Sequence, residues 1–509
     1  RYRVPDSLMY HLPLGWMDGS ILNWIQRIDE NVLRGSGMIV NFAERAHNHN
    51  WRLDPITRSL LDNDFYKFLM LQFIWKHFPK ADTVFSLVNR SSAVRLAEIV
   101  DVEELVRQLE HVRSLGFRRS ELIWLAGNTF YGFRGIFEPA FLEWLEHDFR
   151  LSDYDLSVKD GQFCLSFRGP WSTTTMWEVY ALSILSELKT RAGLRETGEL
   201  ALDVLYAQAK ARLWSKVERL RGTPELKVAD FGTRRRHSFL WQEYAVKAMR
   251  DTLKSAFIGT SNTYLAFKHD LEAIGTNAHE LPMALAAMAP DDETLKVSQY
   301  RVLELWQQTY RGALLIMLPD TYGTTQFLDD APEWVADWTG ERIDSKDPYV
   351  AGDEYINWLK LRGRDPQQKL IVASDALEVD DILGLHAYFS GEIRSDLAPQ
   401  DFHSASDFLD GRKWTPRRRI RFSAGWGTLL TNDFRGCNPD GGSGFDPSDL
   451  VCKLSEVNSQ PAIKLSDNYA KAMGSEPEVE RYRRVFGSAG LKNVPSTFSS
   501  RAIHLGERV

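Results

Sequence analysis

From Leu226 onward the chain repeats one pattern: a short apolar, β-rich run, then polar residues or glycine, then apolar positions at helical spacing. LKVADF passes through GTRRRHS into FLWQEYAVKAMRDTL, and AFI through GTSN into TYLAFKHDLEAI. ALLIMLP leads through DTYGTT to a helix, GERI through DSKDP to YINWLKLRG, KLIVAS through DALEVD to DILGLHAYF, and RIRFS into AGWGT. Strands alternating with helices at this spacing predict parallel pairing with right-handed crossovers, and this many units favour a (β/α) barrel over an open sheet. In a barrel the residues after each strand meet on the C-terminal rim. Polar clusters spread over about 200 residues can then form one site.

The flanks read differently. ILNWIQRIDENVL predicts a short amphipathic helix, and residues 1–50 as a whole read as an N-terminal extension. Asp62 or Asp64 can cap a helix carrying Phe65, Phe68, Leu69, Phe73 and Trp75, after which TVFSLVNR predicts a strand. CNPDGGSGFDPSD reads as a linker into two strand-like runs, LVCKLSEVN and PAIKLSD. The expected organisation is a mixed α/β domain from 51–180 plus 437–509, and a barrel from 181–436.

With 509 residues, 43% hydrophobic and 26% charged, the chain is long enough for two or three cores and has the composition of a soluble globular protein. A net charge of −7 gives no overall field for nucleic acid or anionic lipid, so neither partner is expected and anionic ligands need a local site. The aliphatic stretch Ala313–Leu318 is far short of the ~20 residues of a membrane helix. Cys164, Cys437 and Cys452 match neither a disulfide framework nor a CxxC metal site, which fits a cytoplasmic protein. RYRVPDSLMY shows no signal core or transit-peptide character, so no address is read there.

Each polar cluster carries a functional reading beside a bland one. His279 in GTNAHE can react or be a satisfied core histidine. DFGTRRRHS offers an arginine fork for a carboxylate or phosphate, or a solvated charged face, and His237 beside it reads as a helix start. Arg342 and Asp344 in ERIDSKDP project the same way if the strand continues; they can pair structurally, or Asp344 can bind ribose hydroxyls or share a magnesium ion. In FSAGWGTLL, Gly425 and Gly427 allow backbone N–H groups to approach a phosphate, with Thr428 opening a helix, although a plain tight turn has the same form. PRRRIRF, interleaved with Ile420 and Phe422, reads as a strand with solvated charges.

Nine segments in order, LLDNDFYKFLMLQ, FRGPWSTTTMWEV, VADFGTRRR, FIGTSN, GTNAHE, RIDSKDP, VASDAL, FSAGWGTLLTND and KLSEVNSQPAIKLSD, resemble the nicotinate phosphoribosyltransferase family from about Asp54 to Ser475. The resemblance implies an irregular (β/α) barrel beside a mixed α/β domain built from both chain ends, in a homodimer with the active site at the interface. It implies synthesis of nicotinate mononucleotide from nicotinate and 5-phosphoribosyl 1-diphosphate for NAD, coupled to ATP hydrolysis and using Mg2+. By the same likeness His279 is phosphorylated by ATP, and Thr276 lines the nicotinate pocket. Tyr66 reaches from the neighbouring subunit to stack on the pyridine opposite Phe231. Arg234 and Arg342 read the nicotinate carboxylate or the sugar phosphate. Asp344, Ser374, Asp375, Gly425, Gly427 and Thr428 serve ribose and phosphate, and Asp344 serves the metal. Lys346 and Ala376 stand where the family pattern has glycine; a lysine at that rim is expected to pair with diphosphate. Ser261 favours nicotinate over nicotinamide, since an aspartate there would repel a carboxylate. Nicotinamide or quinolinate phosphoribosyltransferases, a catalytically silent nucleotide-binding relative, and a sugar-phosphate aldolase or isomerase are the competing readings.

Overall fold

The structure is a computed structural model that describes residues 55–489 except 91–93, 224, 375, 392–418, 442–443, 448 and 469–471. ILNWIQRIDENVL lies outside the described residues. Among the described residues thirteen strands are numbered in chain order: β1 Asp82–Asn89, β2 Thr129–Phe130, β3 Phe133–Arg134, β4 Tyr154–Lys159, β5 Gln162–Pro170, β6 Val228–Asp230, β7 Phe257–Thr260, β8 Ile316–Met317, β9 Gly340–Ile343, β10 Leu370–Ala373, β11 Arg421–Trp426, β12 Leu450–Val457 and β13 Gln460–Pro461.

Six of these, β6 to β11, are parallel and lie in the order β7-β6-β11-β10-β9-β8. Because β11 pairs with β6 (Ala424 opposite Val228), the order around the sheet is the order along the chain, as a barrel requires. The seam between β7 and β8 is filled by the irregular segment 272–277. Ala273 bridges Thr260 in parallel, and the Asn277 amide donates to the Ile316 carbonyl at 3.1 Å on β8. TYLAFKHDLEAI was expected to be helical throughout, yet the helix stops at His269. Asp270 turns the chain with φ +52°, in the left-handed region, and releases the rest as wall.

An antiparallel sheet, β13-β12-β1-β5-β4, packs beside the barrel. It is built from segments on both sides of the barrel sequence, with β1 pairing residues 450–457 of β12. Helix Phe65–His77 runs through the centre of the core with Phe65 to Ile74 all buried, including Lys67 and Gln72. Asp64 does not cap it by side chain; its carboxyl accepts from Ser261 Oγ instead, at 2.7 Å. Among the described residues no helix is long and apolar enough to cross a membrane.

Candidate active site

A cavity of about 480 Å3 opens on the C-terminal rim of the barrel and is walled on the other side by β1 and β12. Tyr66, Phe231, Arg234, Thr276, His279, Arg342, Asp344, Ser374, Gly427 and Thr428 all line it. Asp375 lies outside the described residues. The convergence follows from topology: β6 delivers Phe231 and Arg234, the seam Thr276 and His279, β9 Asp344, β10 Ser374, and β11 Gly427 and Thr428.

The three arginines of GTRRRHS have three fates. Arg234 faces the cavity, 3.3 Å from Glu178 Oε1 and 3.7 Å from Asp64 Oδ2. Arg235 is tied to Asp449 at 2.9 Å. Arg236 is fully buried and grips both oxygens of Asp62, at 2.7 and 2.8 Å. His237 is core: it stacks on Phe434 with ring centroids 3.7 Å apart, and Tyr206 lies 3.0 Å from its Nε2.

His279 stands just before helix Glu280–Ala287. Its Nε2 is 3.0 Å from Asp344 Oδ2 and 3.6 Å from Asp320 Oδ1, and its Nδ1 is 2.9 Å from Thr321 Oγ1. Burial lowers the His279 pKa, outweighing the pull of Asp320 in the other direction. For Asp344 burial acts upward, but Arg342, His279 and Lys464 together hold it well below the usual carboxylate range. Ionised carboxylates only accept, so a neutral His279 carries its proton on Nε2 and presents the Nδ1 lone pair toward the Thr321 hydroxyl. Ser374 Oγ donates to Asp344 Oδ1 at 3.1 Å, and Arg342 donates to the Asn277 carbonyl at 3.0 Å while lying 3.7 Å from Asp344.

Three expectations change. Gly425 does not line the cavity: a Cβ there would lie 2.4 Å from the Phe231 ring, so the glycine makes room for that ring. Lys346 turns away from the cavity to Glu354 and Thr325, the latter at 2.9 Å, so it is not placed to meet diphosphate. Ser261 does not leave its part of the pocket free of acid, because its hydroxyl is bound to Asp64, itself a cavity residue. Burial raises the Asp64 pKa against the opposing pull of Arg234, which favours the neutral acid and so lessens repulsion of a carboxylate. Tyr66 lines the cavity of its own chain, its backbone packed on Gly275, where a Cβ would come within 2.8 Å of the Tyr66 nitrogen.

Several residues were missed. Asp320 follows β8 in LPDTYG, the rim position that should have marked it. It is buried, and its Oδ1 has no hydrogen-bond partner although Oδ2 accepts from Ser345 at 2.6 Å. Asp320, Asp344 and His279 can each point one donor atom into a space where these atoms lie within 4.8 Å of one another. Arg90, Lys453 and Lys464 line the cavity from the antiparallel side. Burial, with Lys464 and Arg90 alongside, pushes Lys453 well below the ordinary lysine range, a stress that a bound polyanion would relieve.

Comparison with known proteins agrees with this architecture. The model of the nicotinate phosphoribosyltransferase (NAPRTase) N-terminal domain matches residues 61–186, and that of the nicotinate phosphoribosyltransferase (NAPRTase) family matches residues 226–398, together more than half of the chain. A nicotinate phosphoribosyltransferase structure from Vibrio cholerae is 27% identical, with TM-score 0.70, covering 89% of this chain and 98% of that one. One from Porphyromonas gingivalis is 25% identical, with TM-score 0.68, covering 85% of this chain and 100% of that one. A Saccharomyces cerevisiae structure, 24% identical with TM-score 0.68 and covering 86% and 99%, is similar in fold.

Proposed function

Given that this chain belongs to the nicotinate phosphoribosyltransferase family, we propose how its residues divide the work of joining nicotinate to 5-phosphoribosyl 1-diphosphate. The enzyme forms nicotinate mononucleotide and diphosphate, a step of NAD biosynthesis. The observation that carries the division of labour is the meeting of Tyr66, Phe231, Arg234, His279, Asp344 and Thr428 around one cavity.

The pyridine ring lies between Tyr66 and Phe231, with Thr276 beside it. Its carboxylate faces Arg234, whose guanidinium Glu178 and Asp64 keep aimed into the cavity. Gly427 and Thr428 receive the 5-phosphate, while Ser374, Asp375 and Asp344 address the ribose. Arg342, Lys453, Lys464 and Arg90 offset the charge of the diphosphate. The pyridine nitrogen attacks the anomeric carbon as the bond to diphosphate breaks, so stabilising cationic character on the sugar and negative charge on the leaving group is what the site must do. The unpartnered Asp320 Oδ1 and the Asp344 carboxylate fit a magnesium ion, which takes oxygen ligands. Bound there, the ion would neutralise charge on the departing diphosphate.

His279 is the ATP-coupling group. Its neutral Nδ1 takes the γ-phosphoryl of ATP, ADP leaves, and water later hydrolyses the phosphohistidine to phosphate. Three free thiols, one of them exposed, support a cytoplasmic location. The family likeness supports a homodimer.

The test is turnover by purified protein with 5-phosphoribosyl 1-diphosphate, ATP and Mg2+, supplying nicotinate, nicotinamide or quinolinate in turn. Nicotinate mononucleotide and labelled phosphate on His279 are expected. Turnover of nicotinamide but not nicotinate would refute the assignment.

A further inference from the structure

A run of charges leads from the base pocket inward to His279, and the reaction outlined above gives its inner members, Lys67 and Glu280, no task. Lys67, fully buried in helix Phe65–His77, is shared by two carboxylates: its Nζ is 2.7 Å from Glu178 Oε2 and 2.6 Å from Glu280 Oε2. At one end Glu178 reaches Arg234 at 3.3 Å through its other oxygen, and the Tyr66 hydroxyl lies 3.5 Å from Glu178 Oε2. At the other end Glu280 Oε1 accepts from Trp171 Nε1 at 2.6 Å and Thr175 Oγ1 at 2.7 Å. Glu280 opens its helix and is the next residue after His279.

The signs alternate from the cavity inward: Arg234 positive, Glu178 negative, Lys67 positive, Glu280 negative. A single buried ammonium cannot fully satisfy two carboxylates at once, so how Lys67 divides itself depends on how far Arg234 neutralises Glu178. A nicotinate carboxylate on Arg234 competes with Glu178 for that guanidinium. Glu178 then draws more strongly on Lys67, and the hold on Glu280 loosens. Because Glu280 is bonded to His279 through the main chain, its release re-aims the ring relative to Asp344 and Thr321.

We propose that Arg234, Glu178, Lys67 and Glu280 form a relay that reports nicotinate occupancy to His279, with Lys67 and Glu280 as positioning residues. The relay rests on the assignment of nicotinate to the Arg234 pocket and of ATP to His279. Coupling of this kind is reciprocal in binding, so phosphorylation of His279 tightens nicotinate by the same factor that nicotinate favours the phosphorylated state.

The experiment compares the unmodified full chain with Glu280→Gln and Glu178→Gln. Calorimetry reads nicotinate binding, and ADP release at saturating nicotinate and without it reads stimulation. Glutamine at 280 can still accept from Trp171 and Thr175 but carries no charge for Lys67. Glu280→Gln is expected to bind nicotinate within about 3-fold of the unmodified protein while losing roughly 10-fold or more of the stimulation. Glu178→Gln, at the opposite end, loses stimulation as well, so the test does not hang on one variant folding. Undiminished stimulation in Glu280→Gln overturns the relay and leaves the assigned reaction standing. Absence of nicotinate-stimulated ATP hydrolysis in the unmodified protein overturns the reading beneath it.

Discussion

Substituting Gly425 by alanine tests where the base pocket gets its shape. The new Cβ would sit 2.4, 2.5 and 2.9 Å from Cδ2, Cε2 and Cγ of the Phe231 ring. Carbon atoms rest at about 3.5–4.0 Å, so the ring must withdraw by about 1 Å. Phe231 withdraws toward the cavity, since β11 itself is pinned between β10 and β6. A shift of that size at a substrate-positioning wall costs on the order of 10² in rate or affinity. The expectation is therefore a nicotinate KM raised roughly 10- to 100-fold, equivalent to about 1.4–2.8 kcal/mol, with overpacking costing a further ~1–3 kcal/mol in stability. Steady-state kinetics with each substrate varied in turn, beside a thermal melt, would measure both. A raised KM for 5-phosphoribosyl 1-diphosphate with an unaltered nicotinate KM would return Gly425 to the phosphate role and refute the packing argument.

Other outcomes follow from the same geometry. His279→Ala abolishes nicotinate-stimulated ATP hydrolysis, read as ADP release; unchanged coupling would remove His279 from that role. Asp62→Ala leaves Arg236 buried and unpaired and lowers stability by about 3–5 kcal/mol in denaturant titration; a loss under 1 kcal/mol would show that the pair is dispensable. Ala376 sits at φ +49° where the family pattern has glycine, so Ala376→Gly relieves a left-handed residue. That relief is worth about 1–2 kcal/mol, and it is offset by the roughly 0.4–1 kcal/mol that glycine costs through the unfolded chain. A small net gain in melting temperature is expected, and a clear drop counts against strain. Burial raises the Asp467 carboxyl to about 6. The folded state therefore holds this proton more tightly than the unfolded chain, and stability falls as pH rises from ~4 to about 6 before levelling off. Asp467→Asn should flatten that slope in melts taken across the same interval.

Hydrophobic periodicity made the barrel legible because each strand and helix carries its own local signal; FLWQEYAVKAMRDTL coincides with the helix Phe239–Leu253. The seam at 272–277 was not legible, since LEAI has helical spacing and only the left-handed turn at Asp270 stops it. Rim placement pointed to the GTRRRHS arginines, His279, Asp344 and Thr428, and the family resemblance singled out Arg234 among the three arginines. The same rule should have found Asp320, but its cluster, DTYGTT, was used only to mark a turn. Lys67 and Glu178 come from outside any strand end, so rim logic could not reach them, and Glu280 closes GTNAHE, where only His279 drew a reading. Their signal is of another kind: a lysine inside FYKFLMLQF and a glutamate inside WEVYALSIL are charges in segments otherwise destined for the core. Gly425 and Gly427 look alike in sequence, and only the placement of the Phe231 ring separates them.

The seam of the barrel has a consequence for how the enzyme can move. A strand in a ladder is held by repeating backbone bonds that let go together, whereas this panel of wall hangs from separate hooks: one pairing at Ala273, the Asn277 amide, and the Tyr131 phenol gripping Gly275 from both sides. Unhooking one leaves the others fastened, so Thr276 and His279 ride on the part of the cylinder that can be re-hung without dismantling its neighbours.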